Sequence, residues 1–151
     1  MKRGKDKIGA SVYQLKVSLR EITPPIWRRV QVPGDITLAK LQRVLQIVMG
    51  WTNSHLHKFS IGGVDYAEPD PDGFLNVQSD RRARLNKVVR ATQKFEYEYE
   101  FGDSWEHEIV VEKTLQPEPG ASYPICVACE RACPPEDCGG VGGIRNFWKR
   151  S

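Results

Sequence analysis

A chain of 151 residues that is 40% hydrophobic, 27% charged and 9% aromatic has the size and make-up of one folded, water-facing domain, which excludes a disordered chain and a large multidomain enzyme. No run approaches the roughly 18 apolar residues that a membrane helix needs, and the basic lead-in Met1 to Lys7 is followed by no apolar signal core, so a cytoplasmic protein that does not enter a membrane is expected. The net charge of +3 conceals a gradient, with +7 over residues 1–50, −1 over 51–100 and −3 over 101–151. A basic first third is a surface that nucleic acid can use.

Residues 1–10 are polar and read as a disordered lead-in, 11–143 as one domain, and 144–151 as a short basic tail. Val12 to Ile22 alternates, with Tyr13, Leu15, Val17 and Leu19 on one side and Gln14, Lys16, Ser18 and Arg20 on the other. That is the period of a half-buried strand. Thr23-Pro24-Pro25 ends it, because neither proline can donate to a ladder. Ile26 to Val32 alternates again, with Ile26, Arg28, Val30 and Val32 opposed to Trp27, Arg29 and Gln31, and predicts a partner strand. Thr37 can cap a helix in which Leu38, Leu41, Val44, Leu45 and Val48 recur at three and four residues, closed by Gly50. His55 to Ile61, Gly62-Gly63 and Val64 to Tyr66 predict a hairpin. An acidic loop runs from Glu68 to Gly73, and Arg81 to Val89 suits a short helix. Lys94 to Phe101 alternates strictly, aromatics against glutamates, and Trp105 to Leu115 predicts its hairpin partner. The fold class expected is α+β: a mainly antiparallel sheet with helices packed on one face, plus a Cys-rich loop.

Cys126, Cys129, Cys133 and Cys138 follow the spacing C-x2-C-x3-C-x4-C within 13 residues. With no export signal, metal ligation by these thiols is favoured over disulfides. Four thiolates suit a tetrahedral zinc, closed to substrate and therefore structural. Free or partly buried thiols and an iron–sulfur cluster are the other readings. A second candidate metal or ligand site is the group His55, His57, Asp103 and His107, where an open coordination position would permit hydrolysis. The opposing reading is polar packing at the sheet edge. Asp103, Ser104 and His107 lie too close on one hairpin turn for a nucleophile–base triad. Arg28, Arg29 and Arg43 are the candidate nucleic-acid contacts, Trp27-Arg28-Arg29 combining an aromatic with two guanidinium groups. No phosphate loop, dinucleotide fingerprint or zinc-protease helix motif is present.

Four stretches, in order, resemble the plasmid pRiA4b ORF-3-like family. They are Tyr13 to Ile22 with Pro24-Pro-Ile-Trp-Arg-Arg, then Met49-Gly50-Trp51 with His55-Leu56-His57-Lys58-Phe59. Tyr99-Glu-Phe-Gly-Asp-Ser-Trp-Glu-His-Glu-Ile follows, and Cys133-Pro-Pro-Glu-Asp-Cys-Gly-Gly comes last. The resemblance spans roughly residues 12–143. It implies a compact α+β domain found on plasmids and mobile elements, of unknown function, and it carries over no catalytic residue. The positions it marks for testing are Trp27, Arg28, His55, His57, Phe59, Asp103, Trp105, His107 and Pro134 to Asp137. One departure stands out. After Gly139-Gly-Val-Gly-Gly the family continues with a Tyr and an acidic helical segment, whereas this chain has Ile144 and seven more residues, so a truncated or frame-shifted copy is expected. The function expected is a non-enzymatic binding module, steadied by zinc, with DNA or a protein as partner. The alternative is a metal-dependent, hydrolase-like enzyme. Composition and motifs leave the oligomeric state open.

Overall fold

The structure is a computed structural model and describes residues 11–69, 72, 76–90, 93–101 and 104–130. β1 (Val12–Leu19) and β2 (Ile26–Pro33) form an antiparallel pair, Leu15 opposite Val30 and Val17 opposite Arg28. Helix α1 (Leu38–Met49) follows. β3 (His57–Ile61) and β4 (Val64–Ala67) make the expected hairpin, and a two-residue strand β5 (Gln78–Ser79) runs parallel to β4. A single helical turn, α2 (Leu85–Val88), precedes the long hairpin of β6 (Lys94–Tyr99) and β7 (Trp105–Leu115). β8 (Ile125–Glu130) closes the described chain. The eight strands form one sheet in the order β5-β4-β3-β6-β7-β1-β2-β8, and every pairing except β4–β5 is antiparallel.

The sheet has one apolar and one polar face, as alternation requires. Leu15, Val17, Val30, Phe59, Tyr97, Trp105, Ile109 and Val111 are buried in one continuous core. α1 contributes Leu38, Leu41, Leu45 and Met49 to it. The opposite face is laced with ion pairs: Arg20–Glu96 at 2.7 Å, Arg29–Glu112 at 2.7 Å, Lys58–Glu98 at 3.9 Å and Lys94–Glu108 at 3.9 Å. Trp27 is half-buried there, with Lys16 Nζ 4.9 Å and Arg29 Cζ 5.0 Å from its ring centroid.

The expectation of a helix-layered α+β fold is corrected by this architecture. Among the described residues only α1 sustains the three-and-four spacing of an amphipathic helix, and α2 is one turn. The described residues form a large mixed sheet with a single substantial helix on its apolar face. The Cys-rich loop is corrected as well. Cys126 and Cys129 stand in β8, paired against β2 with Cys126 opposite Val30 and Cys129 opposite Arg28. The run Ile125 to Glu130 carries β-branched Ile125 and Val127, which suit a strand, and the outer edge of β2 offers unpaired backbone groups for it to join.

Candidate functional site

A single helix is about 10 Å across, whereas eight strands at about 4.8 Å spacing make a sheet roughly 34 Å wide. Ile36, Trp51, Leu85 and Val89 therefore join the helix in covering the sheet's apolar face, and the inward side chains of the central strands are buried. At the β3–β4 end lies a cleft of about 660 Å³. One wall is the α1 flank of Ala39, Gln42 and Arg43, another the segment Asn53 to Lys58, and the far side β4, β5 and the Asp80–Arg81 step.

The floor is organised by a ring of hydrogen bonds. Gln42 and Gln46 lie one turn apart on the inner stripe of α1 and are buried. The Tyr97 hydroxyl donates to Gln42 Oε1 and accepts from Gln46 Nε2 at 2.8 Å. Gln46 Oε1 accepts from the backbone N–H of Asn53 at 2.8 Å, and Gln42 Nε2 donates to Asn53 Oδ1. Asn53 has φ 59°, a left-handed conformation that asparagine tolerates better than most residues. The Ser54 N–H donates to the Tyr99 hydroxyl at 2.9 Å. The Tyr99 hydroxyl thus holds the loop that follows the helix directly, and the Tyr97 hydroxyl holds it through Gln42 and Gln46. Burial raises the Tyr97 hydroxyl well above the ordinary tyrosine range, so it keeps the proton it donates.

His57 and Asp80 form the inner wall. His57 Nε2 lies 2.6 Å from Asp80 Oδ2, with the carboxylate buried. Asp80 is anchored through its backbone as well. Its N–H donates to Ala67 O at 3.0 Å, and its carbonyl accepts from Ala39 N at 3.0 Å in the first turn of α1. A carboxylate bonded to one imidazole nitrogen fixes the ring's orientation. Three apolar side chains stand exposed along the rim, Leu56 at 62%, Phe101 at 39% and Val64 at 38%, beside the charged Arg43, Glu68 and Arg81.

The histidine group of the sequence reading separates. His55 and His57 both line the cleft. His107 is fully buried on β7, with Nδ1 3.1 Å from Tyr97 O and its ring 5.0 Å from Tyr97 and 5.5 Å from Trp51. β6 lies between β3 and β7, so His57 and His107 are about 10 Å apart across two strand spacings, with the Tyr97 ring between them. One ion with ligand bonds of about 2 Å cannot bridge that gap. Burial pushes His107 down to about 4, so it is neutral at physiological pH. Its Nε2 and the Trp105 Nε1–H are buried without a hydrogen-bond partner among the described residues. Asp103 lies outside the described residues.

The zinc expectation is corrected. Cys126 and Cys129 are exposed free thiols on an edge strand, and among the described residues no group of three or more His, Cys, Asp or Glu is placed to hold a metal ion. A C-x2-C pair serves a metal when a turn folds it back on itself, whereas these two are drawn out along a ladder. Cys133 and Cys138 lie outside the described residues.

The three arginines also divide. Arg28 is buried and donates from Nε to Val48 O at 2.8 Å, in the last turn of α1. Arg29 makes a two-pronged pair with Glu112, at 2.7 and 3.0 Å. That pair raises the arginine's pKa and holds the Glu112 carboxyl below the usual carboxylate range. Arg43 alone is exposed, at the mouth of the cleft.

Sequence reasoning missed Asp80, Gln42, Gln46 and Asn53 as parts of one site. One signal for them exists in the sequence: two amides at i and i+4, Gln42 and Gln46, interrupt an otherwise apolar helix stripe, which requires partners in the interior. Asp80 carries no such mark.

The fold and much of the sequence recur in other proteins. A structure of a protein of unknown function from Methanosarcina mazei Go1 superposes with a TM-score of 0.87 at 38% identity, covering 93% of this chain and 81% of that one. An uncharacterized protein of Sinorhizobium fredii is 43% identical over 140 residues, 91% of this chain and 72% of its own length. Residues 11–150 match the plasmid pRiA4b ORF-3-like protein. With that match running through every strand and the helix that frame the cleft, the chain belongs to the plasmid pRiA4b ORF-3-like family.

Proposed function

We propose that this protein is a binding module and that the cleft between α1 and the β3–β5 end of the sheet is where it binds. The observation that carries this reading is the combination of exposed apolar side chains on the rim (Leu56, Val64 and Phe101) with polar walls already held in place by the Gln42–Tyr97–Gln46–Asn53 ring. A volume of about 660 Å³ falls within the range of small-ligand sites. Walls set by internal hydrogen bonds lose little freedom when a ligand arrives. Nucleic acid is the weaker reading, because Arg28 and Arg29 are engaged within the fold and the polar face pairs its cations with glutamates. An enzyme reading draws on one observation, the 2.6 Å His57–Asp80 contact, which would let His57 act as a general base. The test is a titration of the isotopically labelled protein with a mixed library of small amphipathic compounds, followed by amide NMR. Shifts gathered at Gln42, Asn53, His57 and Lys58 are expected. Shifts confined to β8 or the polar face would overturn the reading.

A further inference from the structure

We infer that the cleft selects a monocarboxylate bearing a compact apolar body, and that Arg43 receives the carboxylate. This rests on the binding reading above and adds the ligand's chemistry to it. The first ground is the charge a ligand meets. Three acids line the cleft, and each is already engaged: Asp65 lies 3.8 Å from Lys58 and accepts from Ser60 Oγ at 2.8 Å, Glu68 pairs with Arg81 at 3.4 Å, and Asp80 is buried behind His57. Arg43 has no ion pair or hydrogen bond among the described residues and is exposed on α1 at the mouth. One unpaired guanidinium, with its planar fork of donors, matches one carboxylate. A doubly charged phosphate would call for more cations than the cleft leaves free.

The second ground is the rim. Of the six large hydrophobic side chains exposed among the described residues, Leu56, Val64 and Phe101 all border this cleft. Exposed apolar surface gathered beside a concave site marks where an apolar group is buried on binding. An acid with its anion at Arg43 and its hydrocarbon against Leu56 and Phe101 satisfies both features at once. Two sources carry that chemistry: a free amphipathic acid, and the C-terminal carboxylate of a chain ending in an apolar residue.

The test uses the full chain, with binding followed by isothermal titration and by amide shifts. The probes are 4-phenylbutyrate, its amide, 4-phenylbutylamine, and a short peptide ending in leucine with a free or an amidated terminus. The acid is expected to bind about three- to tenfold more tightly than the amide. Arg43→Gln should erase that preference, and Leu56→Ser should weaken acid and amide alike. Arg43 and Leu56 are exposed, so both variants are expected to fold. If the free-terminus peptide outbinds its amidated form, the carboxylate is confirmed and its source is a chain end. If only the small acid does so, the source is a free acid. Equal binding of acid, amide and amine at the cleft, or a preference that survives Arg43→Gln, overturns this inference and leaves the cleft reading standing. No shift at the cleft with any probe brings down both.

Discussion

His107 shows how one buried side chain couples stability to pH. Its imidazole is enclosed beside Trp51 and Tyr97, with Nδ1 directed at Tyr97 O. Burial depresses it from 6.5 to about 4, because a cation there would lose its hydration. The unfolded chain takes up this proton near pH 6.5 and the folded chain only near pH 4. Between those values the unfolded state binds more protons, so stability is full above pH 6.5 and falls as pH drops, by about 1.4 kcal/mol per pH unit from this group alone. Urea unfolding at pH 7, 6 and 5 should show that slope. In His107→Gln, which cannot take a proton, the slope should be shallower by about 1 kcal/mol per unit. An unchanged slope would mean that the ring is hydrated in solution. Legibility at this scale followed chemistry. The reading of polar packing for His107 placed it at the sheet edge, whereas it stands on the buried face of β7 with Trp105, Ile109 and Val111. Its separation from His57 was hidden, because that depends on β6 lying between two strands distant in sequence.

At the scale of elements, the junction of α1 with β2 turns on Arg28. It lies on the buried side of its strand, as alternation requires, and its guanidinium joins two elements: Nε donates to Val48 O in the last turn of the helix at 2.8 Å, and Nη1 donates to Glu130 O on β8 at 3.3 Å. A cation there satisfies an orphan carbonyl and complements the negative end of the helix. Arg28→Met keeps the apolar stem and removes the donors, so it should cost about 1–3 kcal/mol in chemical denaturation. A loss under about 0.5 kcal/mol would show that water replaces the guanidinium without penalty. The helix itself was readable end to end, because its signals are local. Thr37 Oγ1 accepts from Lys40 N at 3.2 Å, and Gly50 closes the helix at φ 80°, the left-handed cap that glycine adopts at little cost. β5 and β8 were not read. Each is defined by a neighbour's open edge more than by a pattern of its own, β5 pairing through Tyr66–Gln78 and Ala67–Ser79 alone and β8 carrying a register shift against β2.

For the whole molecule, the core runs without a break from β2 through β7 to β3, so heat or denaturant should unfold it in one step. Trp51 and Trp105 are both buried in that core. Their fluorescence and the far-ultraviolet signal of the sheet should trace one transition with the same midpoint. Separate midpoints would reveal two cores. The sequence by itself determined the two-faced strands, the one substantial helix with its caps and the family, since each is written in spacing along the chain or in short motifs. Tertiary structure alone decided what the charged and polar residues do. Gln42, Asn53, His57 and Asp80 converge because β3 is held beside β6 and the chain around Asp80 is hydrogen-bonded to the start of α1. Arg28 and Arg29 are consumed within the fold, while Arg43 is left at the mouth of a cleft. The physical reason is that hydrophobic period is a local property, read two to four residues at a time. A site, by contrast, is a meeting of side chains whose distances are set by sheet order and by where the helix and its flanking loops cross the sheet.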